Sequence, residues 1–314
     1  PRTHSQPLRQ KVKVIHTTGI SHIVRERIVA MLGFDNRAGR DESHLDGRGY
    51  GTILDFDRLY REEFSRELPD IIARHKRERL RFFELIVKHL GEAKARPLRT
   101  LEIGCGTAID SLIVTERVEC LACGVDLSKE ALKVARKIME PHPSSIDLVN
   151  ADVHNLPFAD GRFDMVFSQG VLEHFEDIDP VLEEQLRVLN RKGRLVISVP
   201  QKYTAYTVAK HQRIRKGSWP WGCESEFSYR DLQAIGRRKA LLEKDVVGHG
   251  YWLHPLEPLW ILRSLMQKTR KISLLKNSSL LERASRSYDR LWGYLEESRG
   301  HHFMRDIAIV FQKA

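Results

Sequence analysis

From about residue 97 to residue 200 the chain alternates short apolar runs with longer stretches whose apolar residues recur every three or four positions. Leu101 and Ile103 close the first run, and residues 121–126, 146–149, 163–167 and 194–199 form further runs of strand length. Near-continuous apolar character over so short a run is what a parallel strand covered on both faces requires. Helices are predicted from Ala108, over 129–139 and over 180–189, with turns at 157–161 and at Lys192-Gly193. Strands separated by helices of that length imply βαβ units and a parallel sheet with its ligands at the carboxyl ends of the strands.

The flanks read differently. Residues 1–55 are polar and glycine-punctuated, with a short helix at 21–32 and a loop over 40–51. From Asp55 to about Leu90 the pattern turns helical, with Leu59, Phe64, Leu68, Leu80, Phe83, Leu85 and Val87 among many charges, and Pro69 and Pro97 marking boundaries. Late in the chain Tyr288, Leu291, Trp292 and Leu295 have the spacing of one apolar helix face, following the basic Arg270, Lys271 and Lys276. Such a unit could lid an apolar substrate, lie on a membrane surface or pack as a helix pair.

The run at 100–111 (T-L-E-I-G-C-G-T-A-I-D-S) carries the first chemical signal. It reads as strand, glycine turn and helix start, an arrangement that brings a ligand against bare backbone. The dinucleotide fingerprint G-x-G-x-x-G would need glycine at 109, where Ile109 stands. Glu102, just before the first glycine, suits a ligand with an ammonium group better than a pyrophosphate, since like charges repel. Asp126, 22 positions after Gly104, falls where a second parallel strand would end with its acid on a ribose diol. Asn150-Ala151-Asp152-Val153 could flank an adenine ring.

Together L-E-I-G-C-G-T-A, G-V-D-L-S, N-A-D-V-H-N-L-P-F, F-D-M-V-F-S-Q-G-V-L-E-H and L-R-V-L-N-R-K-G-R-L-V-I-S-V-P resemble the class I S-adenosylmethionine (SAM)-dependent methyltransferases, in particular the group containing the ubiquinone and menaquinone methyltransferases. The resemblance covers residues 97–200. It implies an α/β, Rossmann-like, seven-stranded, mostly parallel sheet with helices on both faces, plus a helical N-terminal segment and a helical insertion before the last strand. It also implies that Glu102, Gly104, Cys105 and Gly106 line the methionine end of SAM, that Asp126 and Leu127 hold the ribose side, and that Asp152 and Val153 flank the adenine. Ser168 and Gln169 complete the cofactor set. Ala108 stands where many relatives have a third glycine. The helix at 228–238 behind Ser228, a strand at 241–247 and an antiparallel strand at 307–311 would complete the sheet. The corresponding division is 1–95 as an N-terminal lid or extension, 96–252 as the SAM-binding core with an insertion at 201–228, 253–303 as a substrate cap and 304–314 as the final core strand. In this architecture the N-terminal segment folds over the donor site, where Tyr50 and Tyr60 could reach SAM or substrate. The aromatics of the insertions, Tyr203, Trp219, Trp221 and Trp252, are candidates to wall the acceptor pocket.

Composition changes this picture little. The 314 residues are 41% hydrophobic and 30% charged, ordinary for a soluble protein, and no apolar run is long enough to span a bilayer. Cys105, Cys120, Cys123 and Cys223 are read as free thiols in a reducing cytoplasm, because Cys120 and Cys123, three apart on a strand, point to opposite faces. A net charge of +10 favours an anionic partner: a nucleic acid, an acidic membrane surface with the protein peripheral to it, or a charged small substrate. The basic stretch at 74–81 has the charge for nucleic acid but also reads as a solvated helix face.

SAM carries an activated methyl group, so the protein has to align a nucleophile and exclude water. A hydroxyl or phenol acceptor would benefit from a general base, for which His174, His249 and His254 are the candidates. The block Gly170-Val171-Leu172-Glu173-His174 has glycine where a metal-binding E-x-x-E-H would place its first glutamate, and no metal is expected. The expected function is methyl transfer to a small or medium-sized, apolar, lipid-, quinone- or glycan-like acceptor, with O-methylation ahead. The alternatives are an RNA methyltransferase using the basic surface, a SAM-binding regulatory protein without turnover and, most distantly, a nicotinamide dehydrogenase.

Overall fold

The computed structural model of the protein describes residues 14–15, 57, 60, 72, 75–76, 78–91, 97–142, 146–215, 224–250, 300–302 and 304–314. The readings for 21–32, Tyr50, 216–223 and 251–299 lie outside them. The strands are β1 (Val14–Ile15), β2 (Leu98–Ile103), β3 (Cys120–Asp126), β4 (Ile146–Asn150), β5 (Phe163–Gln169), β6 (Leu189–Pro200), β7 (Leu242–His249) and β8 (Asp306–Gln312). They form one sheet in the order β1-β4-β3-β2-β5-β6-β8-β7. Strands β4, β3, β2, β5 and β6 pair in parallel, while β8 runs antiparallel between β6 and β7. The seven expected strands are therefore present. The two-residue β1, antiparallel on the β4 edge, is an eighth that the polar N-terminal sequence did not signal.

The helices among the described residues are α1 (Leu80–Gly91), α2 (Ile109–Thr115), α3 (Lys129–Met139), α4 (Asp179–Val188), α5 (Ala205–Arg215) and α6 (Tyr229–Arg238). Ser128 caps α3 by accepting from Ala131 N at 3.0 Å, and Ala131, Leu132, Ala135, Ile138 and Met139 give it one buried face. A Ser228–Asp231 capping box starts α6. Caps of this kind contribute about 1 kcal/mol each. One face of the sheet packs against α1, α2 and α3 through Phe82, Phe83, Ile86, Leu112, Ile113 and Leu132; the other packs against α4 and α6 through Val181, Leu182, Leu232 and Ile235. The expected Lys192-Gly193 turn appears as an irregularity within β6, where Lys192 has φ +63° and the register with β5 shifts.

Helix α5 was not foreseen, for a physical reason. Its surroundings invert the usual pattern: Thr207 and Lys210 are buried while Val208 is 61% and Ile214 39% exposed. A periodicity search looks for an apolar inner face, and here the inner face is polar. Lys210 is the telling residue, since fully buried lysines are rare unless paired. The described members of the basic stretch are paired too: Lys76 with Glu116, Arg79 with Asp110 and Arg81 with Glu84.

Candidate active site

The carboxyl edge of the parallel strands divides into two halves. The first lies over β2, β3 and β4. Gly104 and Gly106 have φ of +60° and +52°, in the left-handed region that glycine tolerates best. A Cβ at Gly104 would come within 2.6 Å of Val171 Cγ2, and one at Gly106 would overlap the Tyr60 hydroxyl. The bend is thus a backbone cradle that a side chain would fill. Ala108 is also left-handed, at φ 52°, a conformation that glycine adopts at less cost than a residue with a Cβ.

Two carboxylates frame the bend. Asp126, at the tip of β3, accepts from Gly106 N through Oδ2 at 2.7 Å and from Ser128 N through Oδ1 at 2.8 Å. An ionised carboxylate offers about four acceptor positions, so these two bonds hold the group in place and leave capacity for a diol. Asn150 Nδ2 donates to the Asp126 and Leu127 carbonyls at 3.0 and 2.8 Å, clamping the same strand tip. Asn150 was absent from the expected cofactor set; its place in the N-A-D-V block was the available signal.

Glu102 is buried, and its Oε2 accepts from both the backbone and the hydroxyl of Ser111. Burial, and then the neighbouring Asp110, pushes its carboxyl well above the usual range, against the pull of the Ser111 bonds. Asp110 is held in turn by Arg79 Nη1, 2.7 Å from each carboxylate oxygen. Tyr60 and Asp57, both helical positions upstream of α1, meet this half directly. Tyr60 lies against Gly106 among Asp126, Cys105, Arg79 and Glu102, and Asp57 accepts from the Ser128 hydroxyl. Tyr60 therefore lies at the glycine bend.

The remaining cofactor candidates sit as follows. Cys105 is buried beside Gly124. Asp152 is half-buried and accepts from His154 N at 2.9 Å, and Val153 joins the apolar core. Ser168 is fully buried on β5 with no partner for its hydroxyl, while Gln169 is half-buried at the strand end.

The second half lies over the ends of β5, β6 and β7 and the start of β8. Lys210 Nζ, with its side chain fully buried, sits 2.6 Å from Glu226 Oε1 and 3.3 Å from Glu224 Oε2. Arg305 binds Asp306 Oδ2 through Nε and Nη2, both at 2.9 Å, and lies over the Tyr206 ring. Burial, together with Asp306 and Glu224, pushes the Tyr206 phenol above its ordinary value. His174 is placed in this half by the turn Leu172–His174. Burial and then Lys210 lower its ring to about 4, which keeps it neutral near pH 7 but makes it a weak base.

His249, the second base candidate, is placed in the interior. Its Nε2 lies 2.7 Å from Ser198 Oγ and its ring stacks on Phe82 at 5.2 Å, while Nδ1 is buried with no hydrogen-bond partner among the described residues. Tyr203 is 72% exposed with Lys202 over its ring, an outward position instead of the pocket wall expected of it. His254, Trp219, Trp221 and Trp252 lie outside the described residues; among the described residues, no group of three or more His, Cys, Asp or Glu could hold a metal. Among the same residues, no helix is long and apolar enough to cross a membrane.

His249 makes a pH prediction. Burial outweighs the raising influence of Asp306, and Arg305 and Arg79 lower it further, giving a ring value of about 4 against 6.5 unfolded. With the folded value below the unfolded one, stability is fully present above pH 6.5 and falls as the pH drops towards 4. The loss is about 3 kcal/mol, from 1.36 kcal/mol per pH unit. Urea unfolding of the protein and of His249→Leu between pH 7 and 4.5 should show a shallower acid decline for the variant; parallel declines would refute the assignment.

Comparison with known proteins matches this geometry. The family profile described as a methyltransferase domain matches residues 101–197. Over 217 residues the chain is 29% identical to a malonyl-[acyl-carrier protein] O-methyltransferase of Methylococcus capsulatus, covering 66% of this chain and 76% of that one. Over 120 residues it is 33% identical to a demethylmenaquinone methyltransferase of Thermotoga maritima, covering 38% of this chain and 48% of that one. The match thus spans about half the length of the second relative. A crystal structure described as a SAM-dependent methyltransferase, possible histamine N-methyltransferase, from Thermotoga maritima shares the fold, with a TM-score of 0.51 at 17% identity over 83% of this chain and 99% of that one. The glycine bend between two strand-tip acids, the strand order and these likenesses converge: residues 101–197 carry a methyltransferase domain, on a fold shared with SAM-dependent methyltransferases.

Proposed function

We propose that the protein transfers the methyl group of SAM to a small or medium-sized acceptor with an apolar, lipid-, quinone- or glycan-like body, O-methylation being favoured. The observation that carries this reading is the pair of acids, Glu102 and Asp126, on neighbouring strands with the Gly104-Cys105-Gly106 bend, its two glycines left-handed, beside them. Asp126 would take the ribose hydroxyls, and Glu102 would face the ammonium group of the methionine moiety. Gly104 and Gly106 admit the chain between them, and Tyr60 covers it from the N-terminal side. SAM itself supplies a sulfonium-bound methyl that needs no further activation. The protein's share is to orient the acceptor at the β5–β6 half of the edge and to exclude water there. The named activities of the two relatives, on a carrier-linked malonyl group and on a demethylated quinone, support an acceptor of this class.

Calorimetric titration tests the donor assignment. S-adenosylhomocysteine should bind while NAD does not, and failure of the folded protein to bind S-adenosylhomocysteine would overturn the reading. Methyl-labelled SAM incubated with lipid, small-molecule, RNA and protein fractions of a cell extract should label the first two; label in RNA would favour the nucleic-acid alternative.

A further inference from the structure

One carboxyl group at the carboxyl edge is not engaged by the donor half. Glu173, in the turn after β5, is 3% exposed, and its Oε2 is buried without a hydrogen-bond partner among the described residues. An unsatisfied buried polar group costs about 1–3 kcal/mol, more if charged, so it calls for an explanation.

Its position supplies one. Val171 packs on Gly104, where an added Cβ would lie 2.6 Å from Val171 Cγ2, and a Cβ at Gly170 would lie 3.5 Å from Glu173 Oε1. The turn carrying Glu173 therefore rests on the donor bend itself. The other charges nearby are already matched: Lys210 to Glu224 and Glu226, and Asp306 to Arg305. Of these acids, Glu173 is the one with a buried oxygen that has no hydrogen-bond partner among the described residues. Burial raises its carboxyl well above the ordinary range, and Glu224 and Asp306 add to that while Lys210 opposes it. The effect moves Glu173 towards the range where a base works near neutrality, whereas the neighbouring His174 ring moves away from it.

We propose that Glu173 is the general base of the methyl transfer, its Oε2 accepting the proton of an O–H or N–H acceptor. The inference rests on the methyltransferase reading above. In the step, the acceptor heteroatom's lone pair forms a bond to the methyl carbon and the carbon–sulfur bond breaks with its electron pair passing to sulfur. The proton passes from the heteroatom to Glu173, so S-adenosylhomocysteine, methylated acceptor and a neutral carboxylic acid are formed.

The test uses the full chain, Glu173→Gln and Glu173→Asp. In infrared difference spectra recorded across a pH titration, a protonated-carboxyl band should titrate above the usual carboxylate range in the unaltered protein and be missing in E173Q. Absence of that band from the unaltered protein overturns the proposal, whatever the acceptor. With methyl-labelled SAM and the lipid and small-molecule extract as probe, E173Q should transfer label about 10²–10⁴-fold more slowly and lose the acidic limb of the pH profile, and E173D should recover part of the rate. Unchanged S-adenosylhomocysteine affinity in E173Q would show the donor site intact. An E173Q rate and pH profile equal to those of the unaltered protein would refute the base assignment alone; no S-adenosylhomocysteine binding by the unaltered protein would instead refute the methyltransferase reading.

Discussion

Asp126→Ala is expected to weaken S-adenosylhomocysteine binding by a hundredfold or more while leaving the sheet folded. Hydrogen bonds to a charged group contribute about 1.5–3 kcal/mol each, and two bonds to a ribose diol would be lost together. Part of the effect is indirect. Asp126 also accepts from Gly106 N at 2.7 Å, so its removal frees the bend that shapes the donor site. Asp126→Asn separates the contributions, because one amide oxygen can keep either the bend or one hydroxyl but cannot do the work of two anionic oxygens. Its affinity should fall between the two. Calorimetric titration of all three proteins, with circular dichroism as the check on folding, measures this; an alanine variant within threefold of the unaltered protein would remove Asp126 from the donor site.

The second large effect concerns stability. Arg79→Ala should lower the free energy of unfolding by about 3–5 kcal/mol at neutral pH, the range for breaking a buried ion pair from one side. Asp110 is 4% exposed at its side chain, and both its oxygens rest on Arg79 Nη1. Without the guanidinium, a buried carboxylate remains beside Glu102, whose own carboxyl is already pushed up by Asp110. The combined replacement Arg79→Leu with Asp110→Asn should recover much of the loss, since it removes the stranded charge. Acid should also narrow the gap between Arg79→Ala and the unaltered protein as the stranded acids become protonated. Urea unfolding at two pH values measures both; a loss below 1 kcal/mol at neutral pH would show that Asp110 finds solvent or another partner.

The glycine bend and its two flanking acids were legible in the sequence because their signals are local. Two glycines two residues apart, an acid before the first and another at the end of the next apolar run each depend on a few neighbouring residues. The helix over 129–139 and the cap at Ser228 follow the same logic and appear at those positions. Tyr60 could only be an expectation, since its approach to Gly106 depends on how a segment some forty residues upstream folds back. The surroundings of His249 were hidden for a related reason: its sequence neighbours do not reveal Ser198 or Phe82.

The order of apolar runs and the chemistry of the glycine bend thus follow from the chain's local pattern, through strand and helix periodicity and the backbone freedom of glycine. The half over the ends of β5, β6 and β7 does not. Glu173, Lys210, Glu224 and Asp306 come from separate elements, and their meaning depends on burial and on which charge lies beside which. A buried lysine between two glutamates and a carboxyl oxygen without a partner are properties of packing. The same residues in solvent would be ordinary surface charges, and only the folded sheet, by excluding water from its carboxyl edge, makes one of them a candidate base.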